Sequence, residues 1–176
     1  MMHLGCGTRA AVIVGLSIVV AVGAGAPAAA ATARKTRNVS CALTLFATIE
    51  QPAPTAANFG SARCSRPFGT GVQRDSSKTT RTSLTAGRFT GPFKLFFDRG
   101  TIRGTFRIRF VTMLSAAYQI TGVIYQGTLK ITGGTAAYRR VRGTGTIAGT
   151  SPDAVRTDLA YRMKLTGVPP LRRGPR

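Results

Sequence analysis

YQITGVIYQGTLKITGGTAAYRRVRGTGTIAGTSPDAVRTDLAY, residues 118–161, is the stretch whose reading decides the fold. Short runs of Thr, Ile, Val and Tyr are separated by Gly122, Gly127, Gly133, Gly134, Gly143, Gly145 and Gly149. Branched and aromatic residues suit a pleated, half-buried surface, and glycine between them marks bends or turns. The stretch is therefore expected to be an antiparallel β unit with strands at Tyr118–Tyr125, Thr128–Thr132, Gly143–Thr150 and Val155–Thr166. Gly133-Gly134-Thr135 and Ser151-Pro152-Asp153-Ala154 read as turns, and Ala136–Arg142 has room for one helical turn.

The pattern continues upstream. Phe93, Leu95 and Phe97 alternate with Lys94 and Phe96, and Asp98-Arg99-Gly100 turns the chain. Ile102, Gly104, Phe106, Ile108 and Phe110 then share one face of a strand, with Thr101, Arg103, Thr105, Arg107 and Arg109 on the other. A period of two with arginines on one side belongs to a sheet with one wet face. Cys41–Ile49 alternates in the same way and reads as the first strand. Gln51–Thr70, rich in turn formers, is expected to be mostly loop, and Val72–Thr90 either a solvated strand pair or a mobile loop. Roughly seven or eight short strands with closely spaced turn signals imply an all-β sandwich or a closed barrel. Closure has the advantage of leaving no exposed edge.

The front of the chain has a different composition. Arg9 precedes the apolar run Ala10–Ala24, and Pro27 and small residues follow, with A-x-A sites ending at Ala31 and Ala33. That order is the pattern of a secretory signal peptide. A membrane anchor needs about 20 apolar residues, and this run is shorter. The sequence thus divides into a signal peptide (1–33), a flexible basic tail (34–40), a β-barrel domain (41–167) and a disordered basic tail (168–176) of a secreted, extracellular protein. Cleavage leaves about 143 residues, a single domain in size.

The mature chain keeps 24 of 25 basic side chains and all five acids, a net charge of +19, but loses the only histidine, His3. A Ser-His-Asp or Cys-His arrangement is thereby excluded; no metal site and no cofactor are expected. Cys41 and Cys64 remain, and in an exported protein they read as a disulfide, the alternative being two buried free thiols.

Gly127-Thr128-Leu129-Lys130-Ile131-Thr132-Gly133-Gly134-Thr135, continuing through Tyr138 and Val141 to Gly143-Thr144-Gly145, resembles a recurring segment of the allene oxide cyclase and dirigent β-barrel superfamily. The chain departs from the pattern at Ala136, where the family usually has glycine. It also looks like small exported proteins of high-GC Gram-positive bacteria that carry this barrel. The resemblance covers roughly Phe93–Gly167 and implies an eight-stranded antiparallel closed barrel with a central cavity, cofactor-free chemistry in plant members, and homo-oligomers by analogy. Gly133, Gly134, Gly143 and Gly145 would be its structural turn residues. The family's catalytic carboxylates have no counterpart alignable here.

Candidate roles follow. A hydrophobic small molecule in the cavity would meet Tyr118, Tyr125, Tyr161 and Phe106; packed core residues with their hydroxyls at the rim are the simpler reading of the tyrosines. Glu50 and Asp158 are the carboxylates expected nearest to a cavity, whereas Asp98 and Asp153 fall in turns and Asp75 in the polar segment. Arg103, Arg107, Arg109, Arg162 and Lys164 form an outward basic face suited to an anionic polymer or membrane surface. That strand face carries no interleaved aromatics, so nucleic acid is expected only as a non-specific partner. The leading expectation is a ligand-binding barrel; the alternatives are a basic surface-adhering module and a cofactor-free isomerase.

Overall fold

Alternation with a period of two builds eight strands among the described residues: β1 (Arg37–Thr48), β2 (Thr55–Cys64), β3 (Gly69–Arg81), β4 (Ala86–Phe97), β5 (Gly100–Leu114), β6 (Ile120–Gly134), β7 (Arg142–Ser151) and β8 (Arg156–Thr166). One short 3-10 turn, η1 (Ala136–Tyr138), interrupts them. The computed structural model describes residues 35–48 and 55–170. The expected signal peptide, Glu50 and residues 171–176 lie outside the described residues.

Each strand pairs antiparallel with its sequence neighbour, and β1 pairs with β8, so the sheet closes on itself as an eight-stranded barrel. Closure satisfies the backbone groups that an open sheet would expose at its edges. The alternation expected for β5 holds along its length, with Ile102, Phe106, Ile108 and Phe110 buried and Arg103, Arg107 and Arg109 exposed. Leu159, Tyr161, Met163 and Leu165 of β8 are likewise buried. Cys41 and Cys64 are direct cross-strand partners on β1 and β2, joined by a disulfide.

Three local expectations are corrected, and one alternative left open is decided. β1 begins at Arg37, so Arg37–Ser40 belong to the sheet, paired to β8, and not to a flexible tail. Thr55–Cys64 is a full strand and not loop; its small polar residues are accommodated because two paired neighbours supply its hydrogen bonds. The polar segment after Val72 is a strand pair, β3 and the start of β4. Tyr118–Tyr125 and Thr128–Thr132 are not separate strands: β6 runs unbroken through Gly127.

The glycines explain that last difference. A Cβ at Gly127 would lie 2.2 Å from the Arg107 carbonyl oxygen, so the residue permits close approach of β5 and not a reversal of the chain. Gly143 and Gly145 also lie inside β7. The side chains of Leu165 and Met163 lean over them from β8, filling the space a side chain would take. Small inward residues beside large ones are how a narrow barrel fits its contents.

Candidate functional site

The two ends of the barrel interior differ. At one end Phe68 from the β2–β3 connection, Phe97 of β4 and Tyr138 of η1 pack in tilted and edge-on contacts, with ring centroids 5.0–5.9 Å apart. Ala136 enters η1 at φ +46°, a left-handed conformation more comfortable for glycine, and the turn brings the Tyr138 ring to full burial. This aromatic plug closes the end that carries the β4–β5 and β6–β7 connections.

Towards the other end lies a cavity of about 240 Å³. Leu45, Phe106, Ile108 and Leu159 supply apolar walls, and Ala154 and Thr157 approach from the β7–β8 side. Asp75, Asn58, Ser77, Tyr125 and Tyr161 add polar groups to the same cavity.

Those polar groups come from β3, where the usual order is inverted. Gln73, Asp75 and Ser77 point inward and are buried, while Val72 is half exposed on the outside. A buried carboxylate needs compensating donors. Asn58 on β2 donates to Asp75 Oδ1 at 2.7 Å, and Gln73 Nε2 donates to Asp75 Oδ2 at 2.8 Å. The same Gln73 nitrogen donates to the Tyr161 hydroxyl at 2.9 Å. An Asn58–Asp75–Gln73–Tyr161 chain thus links β2, β3 and β8 across the interior. The buried Gln73 Oε1 has no partner among the described residues.

Electrostatics follow from burial. Desolvation raises the Asp75 carboxyl above its ordinary value, against the lowering effect of its bonds from Asn58 and Gln73. Burial also pushes the Tyr161 phenol far up, so it stays protonated. The Tyr125 phenol is raised for the same reason. The site therefore presents a carboxylate that accepts hydrogen bonds or a proton, beside a phenol whose oxygen is already engaged and whose proton is free to be donated.

Of the residues singled out in the sequence, Phe106, Tyr125 and Tyr161 line this cavity. Tyr118 does not: it is 84% exposed at φ +59°, in a turn closed by Ser115 and Gln119, because the chain reverses there before β6 begins. Asp158 is also outside. With Leu159 and Tyr161 inward, its parity on β8 turns it outward, where it accepts from Thr44 Oγ1 at 2.7 Å and pairs with Arg156 at 3.2 Å. Glu50 lies outside the described residues. Gly133 and Gly134 end β6 beside η1.

Asp75, Gln73 and Asn58 escaped the sequence reading, since the rule that apolar residues face inward points the wrong way on β3. The available signal was the alternation of Gln73, Asp75 and Ser77 itself, a period-two pattern in polar residues.

Arg103, Arg107, Arg109, Arg162 and Lys164 all face outward. Arg107 and Arg162 belong to one cross-strand row, Arg107–Thr128–Thr146–Arg162, and Lys164 to the next, Lys164–Thr144–Lys130. A scan of protein-family models finds no match for this chain, and a search of curated proteins finds none.

Proposed function

We propose that this protein is an exported barrel that binds a small, largely apolar molecule in its interior, with Asp75 and Tyr161 receiving the ligand's polar group. The observation that carries this reading is the cavity of about 240 Å³, apolar over most of its wall and polar at Asp75 and Tyr161. Apolar pockets with a few convergent polar groups are where proteins hold small ligands, the walls giving affinity and the polar groups orientation. The segment Gly127–Gly145 and its likeness to the allene oxide cyclase and dirigent barrels support the same reading, as does the eight-stranded closed barrel itself. Export is supported by the signal-like residues 1–33 and by the Cys41–Cys64 disulfide, which suits an oxidising compartment.

An isomerase reading requires a carboxylate in the cavity, and Asp75 meets that requirement: a desolvated carboxylate facing a protonated phenol has the parts for moving a proton within one substrate. The reading as a basic module that adheres to anionic polymers draws on the outward rows containing Arg107, Arg162, Lys130 and Lys164.

Native mass spectra of the chain secreted from a Gram-positive host, taken without detergent, test the cavity reading. An apolar molecule of defined mass should be retained. Thr157→Trp, which fills the cavity from the β7–β8 side, should abolish retention, and Asp75→Asn should weaken it. Retention unchanged in Thr157→Trp would place the ligand elsewhere and overturn the proposal.

A further inference from the structure

The wall formed by β1–β5 carries a second feature. Phe46 on β1 is directly opposite Phe59 on β2, Phe59 is opposite Arg74 on β3, Arg74 opposite Lys94 on β4, and Lys94 opposite Arg103 on β5. Phe46 and Phe59 are 44% and 51% exposed, and Arg74, Lys94 and Arg103 are exposed as well. Phe96, two positions along the same face of β4, is 41% exposed and lines an outer groove with Arg74, Lys94 and Arg103.

This order is costly for a surface without a partner. Like charges directly opposite on neighbouring strands repel, and three cations follow one another here. The ion pair found among the described residues, Arg156–Asp158, lies on β8, beyond the phenylalanine end. Large rings set beside them leave apolar area in water.

We propose that this row is a binding site for single-stranded nucleic acid, with Arg74, Lys94 and Arg103 along the sugar–phosphate backbone and Phe46, Phe59 and Phe96 stacking against bases. Cations aligned beside exposed rings are the two components that single-strand binders combine. The curvature argues against a membrane. In a closed eight-stranded barrel each strand turns the wall by about an eighth of a circle, so the five positions swing through about half a circle. At about 4.8 Å between strands the row spans roughly 19 Å of arc. A flexible strand can follow that arc, whereas a flat bilayer meets only part of it. A duplex keeps its bases stacked on each other and offers the rings nothing. A polyanion without bases would use the cations and ignore the phenylalanines.

Fluorescence anisotropy of a labelled oligodeoxythymidine of about 15 nucleotides, titrated with the mature chain over a range of salt, tests this. Phe46→Ser with Phe59→Ser should weaken binding by roughly tenfold per ring lost, while leaving the affinity for inorganic polyphosphate unchanged. Arg74→Gln, Lys94→Gln and Arg103→Gln together should reduce the salt slope by about 2, from three phosphate contacts at about 0.7 each. The same three-charge change on the β6–β8 wall, at Lys130, Arg162 and Lys164, should leave most of the slope in place. All these positions are outward, and unchanged thermal unfolding verifies that the variants fold. Equal loss from either wall, or no effect of the phenylalanine changes, would overturn the proposal in favour of diffuse attraction. Capture by anionic phosphatidylglycerol vesicles without oligonucleotide binding would overturn it in favour of a membrane surface.

Discussion

Gln73 Nε2 donates to the Tyr161 hydroxyl at 2.9 Å, joining residues 88 positions apart through the middle of the barrel. The same nitrogen holds Asp75 at 2.8 Å, so one amide supports both the phenol and the carboxylate of the cavity. Removing it takes the Tyr161 hydroxyl's donor away and leaves Asp75 with its bond from Asn58 alone. Gln73→Leu is expected to destabilise the protein by about 2–3 kcal/mol, because a buried polar group that loses its partner costs about 1–3 kcal/mol. Tyr161→Phe leaves Gln73 its bond to Asp75 and should cost about 1 kcal/mol. Urea denaturation of the two variants measures the difference, and a neutral Gln73→Leu would show that the linkage contributes nothing to stability.

Asp75 makes stability depend on pH. Burial holds its folded-state value above the ordinary 3.8, so the folded protein takes up this proton more readily than the unfolded chain. The stability contributed by the protonated form is full below 3.8 and is lost as the pH rises through the raised value. Asp153 has the opposite sign: backbone amides of Arg156 and Val155 lower its value, so its contribution is present above the ordinary range and lost as the pH falls through the lowered value. Comparing Asp75→Asn with the unchanged chain cancels Asp153. The variant should gain stability relative to the unchanged chain from acid to neutral pH; parallel curves would refute the burial effect.

The disulfide joins β1 to β2 across a sequence separation of 23. In the chain-entropy account a loop of that length stabilises by about 3 kcal/mol. Replacing both Cys41 and Cys64 by alanine should lower the free energy of unfolding by about that amount, and a reducing agent should lower the thermal midpoint of the unchanged chain while leaving the double variant where it was.

Gly127 allows β6 to press against β5, where a Cβ would meet the Arg107 carbonyl oxygen at 2.2 Å. Gly127→Ala should therefore cost about 3 kcal/mol, at the upper end of overpacking, as backbone and not a flexible side chain must yield. Thr128→Ala, one residue on and facing solvent, should change the denaturation midpoint little. Equal effects would mean that the strands separate easily there.

Where apolar and charged residues alternate with a period of two, sequence and structure agree closely. Ile102–Phe110 and Leu159–Leu165 could be assigned their inner faces, and the run of turns and strands implied an all-β sandwich or a closed barrel. β3 shows where that logic ends: its inner face is polar, and local patterning then selects the wrong side. Asp158 looked like a cavity residue and faces outward by the parity of its own strand, while Asp75, read as part of a polar segment, supplies the cavity's carboxylate. Nor could the row from Phe46 to Arg103 be seen, since its five members come from five strands.

By itself the sequence determined the strand class, the strong positive charge, the absence of histidine after residue 3, and the alternation that separates wall from core, because these depend on residue identity and near-neighbour periodicity. The tertiary structure alone decided the register in which β1 meets β8 and β2, the Asn58–Asp75–Gln73–Tyr161 chain and the order of the outer row. Each of those is a matter of register between distant segments, and register is set by the packing of the whole barrel, which no single stretch contains.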